Sequence, residues 1–271
     1  MKPSHIIFLV IMFTTPLTYA QKHSSISASE FKDKYANSDG IYRDKYTLNP
    51  ANTKINIIDE KNNIIRAFRL KEGLMRGRYN EYYSNGELKI KGKYKKGKKN
   101  GKWKELYTEG ATKSESFYKR GLTQGTKTSF YRDGSISELG NFIDDKMTGQ
   151  WRGLYEDGST KYTETYINGN INGISTHYYK NGNIQEYAEC YEGEYNGKWQ
   201  CFYENGNKKG EGRYKNGVEN GIWVWYYEDG NKKYEARYKD GKFDGEVFFY
   251  NKDGSVSKSA LYIDGVKSNL P

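Results

Sequence analysis

Few side chains in this sequence can do covalent chemistry, and what surrounds them decides whether they do. Beyond residue 20 the histidines are His23 and His177. A catalytic imidazole needs an orienting carboxylate or a nucleophile beside it, and no motif around either histidine supplies one. His177 is read as structural, because its place in the sequence pattern carries Glu, Gly, Cys or Trp elsewhere. Cys190 and Cys201, eleven residues apart, are the chain's only cysteines. With no His near them they are not a metal signature. They are a candidate disulfide if a hairpin sets them opposite each other, and otherwise two separate thiols. Asp133, Asp157, Asp229 and Asp253 recur at one position, but the other ligands of a calcium loop are missing. Turn chemistry accounts for them. The expectation is a non-enzymatic protein with no catalytic residues, no metal and no cofactor.

Two features remain that suit binding. Lys89, Lys91, Lys93, Lys95, Lys96, Lys98, Lys99, Lys102 and Lys104 crowd one short stretch of a chain whose net charge is +10. Either they form a solvated face that discourages edge pairing, or Lys95, Lys96, Lys98 and Lys99 form a patch for anionic lipid, glycan or acidic protein. The second feature is aromatic. Rings make up 16% of the residues, and Trp103, Trp151, Trp199, Trp223 and Trp225 are candidate protein-binding anchors if exposed. Stacking of sugar rings on the same rows is a further reading.

The elements that position these residues follow a strict rhythm. Gly77, Gly101, Gly125, Gly149, Gly173, Gly197, Gly221 and Gly245 stand 24 residues apart without an insertion. Such a period marks a repeat architecture. Counting each of these glycines as zero, position two is aromatic in five units: Tyr79, Trp103, Trp151, Trp199 and Trp223. Position five is always large and apolar, and position six is Tyr in seven units, lapsing only at Asn251. Position seventeen is Tyr or Phe except at Cys190. These strand-forming residues alternate with Asn-Gly and Asp-Gly pairs too often for any helix. We expect two-residue turns after position six, which would pair position two with a small residue at position fifteen. Large residues at both five and six break one-residue alternation, so a bulge or burial on both faces is expected there.

The ends depart from the rhythm. Lys2, the apolar run Ile6 to Phe13 and Thr18-Tyr19-Ala20 read as a signal peptide cleaved near Ala20, with no membrane span after it, so a periplasmic or secreted protein is expected. Nucleic acid is an unsuitable partner for an exported chain. Residues 21–54 are read as a linker or lead-in with a short helix near Glu30 to Tyr35, and 55–72 as a degenerate capping hairpin. Eight repeats and a short tail occupy 73–271.

The motifs Tyr-Tyr-Glu-Asp-Gly at 226–230 and Tyr-Lys-Asn-Gly-Val-Glu-Asn-Gly-Ile-Trp at 214–223 recur in similar form in all eight units. They resemble the bacterial MORN-repeat variant. The resemblance implies an all-β fold, an elongated array of stacked antiparallel hairpins forming one long twisted sheet. It also implies a scaffold that holds proteins together, with some members proposed to touch phospholipid. Relatives often carry antitoxin-like or kinase-like labels. No Gly-rich loop or Asp-Phe-Gly motif supports the second here, and an export signal fits poorly with the first. The sequence therefore points to an exported interaction scaffold whose partner is a protein, or alternatively an anionic lipid or glycan.

Overall fold

The computed structural model describes residues 23–268; the expected signal peptide lies outside them. The repeats form one long, open β-sheet, in which each strand pairs with those before and after it in sequence. In a representative unit, Gly101–Leu106 pairs antiparallel with Thr112–Lys119, and a short strand Leu122–Thr123 leads toward the next anchoring glycine. The expected register holds: Trp103 faces Ser116, Trp199 faces Gly212 and Trp223 faces Ala236.

The turns, however, are distributed otherwise than expected. After position six the chain makes a three-residue loop, in which Gly110 N–H donates to Tyr107 O and Tyr107 N–H to Ala111 O. Only the loop glycine has positive φ (85° at Gly110). The Asp or Asn before it works through its side chain instead, as where Asp133 Oδ1 accepts from Ser135 N–H at 2.9 Å. The register survives because a bulge sits between positions four and five, at Glu105/Leu106 and at the same place in each unit. It accounts for the two consecutive large residues. Two-residue turns with positive φ at both positions lie at the opposite edge, as at Lys96-Gly97 and Asn216-Gly217.

Both long edges are tied between units. On the three-residue-loop side, each Tyr at position six donates its hydroxyl to the position-five carbonyl of the next unit. The ladder runs Tyr83 to Leu106, Tyr107 to Phe130, Tyr131 to Leu154, Tyr155 to Tyr178, Tyr179 to Phe202, Tyr203 to Tyr226 and Tyr227 to Tyr250, at 2.7–3.1 Å. Asn251 falls where the described array offers no further carbonyl of this kind. On the other edge the second turn residue donates its N–H to a carbonyl of the preceding unit, from Gly97 to Met75 through Gly265 to Phe243.

The segment expected to be a linker is folded. His23–Ser27 pairs parallel with Thr53–Ile58, and a helix Ala28–Lys34 follows, opened by a Ser27/Glu30 capping box. A small hairpin joins Tyr35–Ser38 to Ile41–Asp44. Tyr35, Ile55, Ile57, Phe68 and Leu70 are buried together, with Phe31 and Tyr42 packed on them. The capping hairpin, Thr53–Ile58 with Ile64–Lys71, thus has its apolar side covered by the lead-in.

Candidate functional site

The tryptophans are core. Trp103, Trp151, Trp199 and Trp223 are 2–9% exposed, and Trp225 is half-buried. Each position-two indole leans on position fifteen of the preceding unit, so a Cβ at Gly92, Gly140 or Gly212 would run into the ring of Trp103, Trp151 or Trp223. Tyr rings at position seventeen close the row edge-on: Tyr94 lies 5.2 Å and Tyr118 5.9 Å from Trp103, and Tyr214 4.9 Å and Tyr238 6.1 Å from Trp223. The exposed anchors expected at these tryptophans are therefore not exposed. A thin array has little else apolar to bury, and its rings cover its own backbone.

The cysteines are free. Cys190 lies opposite Tyr195, whereas Cys201 lies opposite Glu186 on the same strand pair. Four residues of strand, about 13 Å, separate them, beyond disulfide reach. Burial pushes both thiols up to about 11, so neither is a nucleophile near neutral pH.

One interruption of the ring row is polar. Where other units place a small residue and a Trp, this one places Glu164 and a buried Ser175. His177 Nε2 lies 3.2 Å from Glu164 Oε1, and Tyr166 donates to Glu164 Oε2 at 2.7 Å. The imidazole stacks on Tyr162 at 5.6 Å and faces Glu186 across the next strand pair. The Glu164 bond raises the His177 pKa against the opposing effect of burial, and the same bond holds Glu164 below the usual carboxylate range. Glu164 stands opposite Ser175 in the strand register, so the carboxylate lies between serine and imidazole. A nucleophilic triad needs the imidazole there. The cluster is a hydrogen-bonded polar plug, and no local sequence motif marks it.

The lysines separate into groups. Lys89 pairs with Glu81 at 3.3 Å, and Lys102 and Lys104 both pair with Glu115. Lys99 lies over Trp103 and Tyr118, 4.5 and 4.8 Å from the ring centres. Lys95, Lys96 and Lys98 gather with Asn100, Lys119 and Arg120 around a notch of about 480 Å³ on the two-residue-turn edge. These five cations are exposed and, among the described residues, make no ion pair. Of the patch expected at Lys95, Lys96, Lys98 and Lys99, three members are brought together and Lys99 is diverted. Lys119 and Arg120 were missed, although the repeat period places them at the same turn positions as Lys95 and Lys96.

An open array of hairpins, stapled at both edges and carrying an unneutralised basic notch, is a repeat architecture by construction. The family pattern of the MORN repeat variant matches residues 75–96, 171–192, 195–216 and 219–240, and the chain is a MORN-repeat protein. No curated protein matches it. A solved structure titled as a GtfA/B complex is similar at 17% identity over 38% of this chain and 18% of that one, with a TM-score of 0.22, too slight a likeness to carry an argument.

Proposed function

We propose that this chain is a non-enzymatic, exported scaffold that holds an acidic protein surface in the notch of Lys95, Lys96, Lys98, Lys119 and Arg120. The observation that carries the reading is five cations gathered on a stapled edge with no counter-charge of their own. Elsewhere in this stretch Lys89, Lys102 and Lys104 are neutralised and Lys99 is laid on rings, whereas the exposed Lys91 and Lys93 lie apart from the notch. Anionic lipid or glycan at the same notch is the alternative. The rest of that edge is of mixed charge, with Asp144, Asp145, Glu192, Glu194, Asp240 and Asp264 among Lys146, Lys215, Lys239 and Lys242, so it adds little attraction to an anionic membrane plane. Export rests on residues 1–20, and no helix among the described residues is long and apolar enough to cross a membrane.

The test is titration with a ten-residue poly-glutamate peptide, with phosphatidylglycerol vesicles in parallel. The expected result is salt-sensitive peptide binding that weakens about tenfold or more in a Lys96→Glu/Arg120→Glu variant. Unchanged binding in that variant overturns the reading, and vesicle binding stronger than peptide binding replaces the acidic protein with lipid.

A further inference from the structure

The basic notch has a counterpart. It is built from positions eighteen, nineteen, twenty-one and twenty-three of one unit (Lys95, Lys96, Lys98, Asn100) and the turn of the next. Four units further along, the same positions hold Tyr191, Glu192, Glu194 and Asn196, which with Asn216 line a second notch of about 240 Å³. The backbone is the same at both: Lys96 and Glu192 open their turns with φ of 51°. Glu192 and Glu194 are exposed and, like the cations of the first notch, make no ion pair among the described residues. One repeat frame thus presents opposite charges at two places on one edge.

Between the two notches lie two exposed isoleucines. Position eighteen is Ile143 and Ile167 in the two intervening units nearest the middle, 59% and 52% exposed, and Tyr191 beside the acidic notch is 55% exposed. The acids of this stretch are partly occupied: Asp144 accepts from Gln124, and Asp145 accepts from Thr123 N–H at 2.6 Å.

We propose that the basic notch receives the acidic notch of a second copy of this chain, the two arrays lying antiparallel along their two-residue-turn edges. Antiparallel alignment satisfies both notches at once and gives a closed, two-fold interface. Laid notch on notch, units one and two of one copy meet units six and five of the other, so the two-fold axis falls between the third and fourth units and Ile143 of each copy meets Ile167 of the other. Ile143 and Ile167 give the centre an apolar pair, with Asp144, Asp145 and Lys146 beside it and the charged notches at its ends. The notches stand about 38 Å apart, at eight strand spacings, so the contact spans much of the array. The inference rests on the anion-binding reading of the basic notch and names its partner.

The test is sedimentation velocity on the full chain at about 50 mM and 500 mM salt, a range over which exposed charge contacts are strongly screened. Charge reversal is conservative here, because each turn already exists elsewhere in the chain with the opposite charge. Wild type is expected to be a dimer at low salt and to dissociate at high salt. Lys96→Glu/Lys98→Glu and Glu192→Lys/Glu194→Lys variants are each expected to be monomeric at concentrations where wild type is dimeric. Mixed together they are expected to form a heterodimer, and all four changes in one chain to restore the homodimer. A wild type that stays monomeric, or reversals without effect on a dimer, overturns the inference. If the chain is monomeric and poly-glutamate still binds, only the second-copy partner falls. If neither is seen, the notch reading falls with it.

Discussion

The unit that begins at Gly221 and the unit that begins at Gly173 share a backbone and little else. Both turn at the same positions, and Tyr227 and Tyr179 each staple their unit to the next through its position-five carbonyl. Inside, Trp223 lies on Gly212 between two tyrosines, whereas Ser175 lies under Glu164 with His177 and Tyr166 on the same carboxylate. Turns and staples therefore fix the strand path, and the inner face accepts either an aromatic filling, which leaves the Trp223 indole N–H without a partner, or a hydrogen-bonded polar one. Aromatic filling gains by area and polar filling by satisfaction, and the two fail differently.

Truncating the aromatic filling gives the largest effect. Trp223→Ala is expected to cost about 3–5 kcal/mol, since it removes a buried indole from a site that cannot collapse. Neighbours in a repeat array share the loss, so amide hydrogen exchange should lose protection across the strands on both sides. Gly212→Ala attacks the same contact from below and is expected to cost about 1–3 kcal/mol by overpacking, read as a fall in the unfolding midpoint. In the polar unit, Glu164→Ala strands the Tyr166 hydroxyl and the His177 imidazole, at a cost of about 1–3 kcal/mol.

The comparison sharpens with pH. Because the folded pKa of His177 is raised, its contribution is fully present below about 6.5 and is lost as pH rises through the folded value. Glu164, whose pKa is lowered, contributes above its ordinary range and loses that as pH falls through its folded value. Besides Glu164, the charged groups around the imidazole are Glu186, which favours its protonation, and Lys161, which opposes it. Thermal midpoints measured from pH 5.5 to 8.5 are expected to fall for wild type and to run flatter for His177→Gln. Equal slopes would show that the imidazole carries no linkage. The smallest effects lie on the staples. Tyr203→Phe is expected to cost about 1 kcal/mol, while Asn251→Tyr, with no described carbonyl to reach, should change stability by less than about 0.5 kcal/mol.

Most of the fold was legible because a repeat states its register many times over. Eight anchoring glycines fixed the units, and the pairing of positions two and fifteen followed from them. The turn types were exchanged between the two edges because Asn-Gly and Asp-Gly suit both a two-residue turn and the αL end of a three-residue loop. The bulge that reconciles register with the longer loop was visible only as two consecutive large residues. The tyrosines at position six were countable from sequence, but their partners were not, since a carbonyl in the next unit leaves no trace in composition.

The site was less legible. The tryptophans qualify as anchors only if exposed, and sequence does not show that each position-two indole covers the preceding unit's backbone and is buried by it. The lysine run was visible as a run, yet neutralisation by Glu115 and stacking of Lys99 depend on cross-strand neighbours. Arg120 joins the notch from the next unit, which folding the sequence on its own period would have found. His177 and Glu164 belong to adjacent strands and form no local motif.

The central claim is that binding belongs to the turn edge and the indoles to the core. The most direct measurement is a backbone-amide and indole N–H NMR titration of the chain with the poly-glutamate peptide. The account predicts shifts at Lys95 to Lys98 and at Lys119 and Arg120, with the indole signals of Trp103, Trp151, Trp199, Trp223 and Trp225 unmoved. Shifts concentrated in the indole signals, with the turns silent, would contradict it.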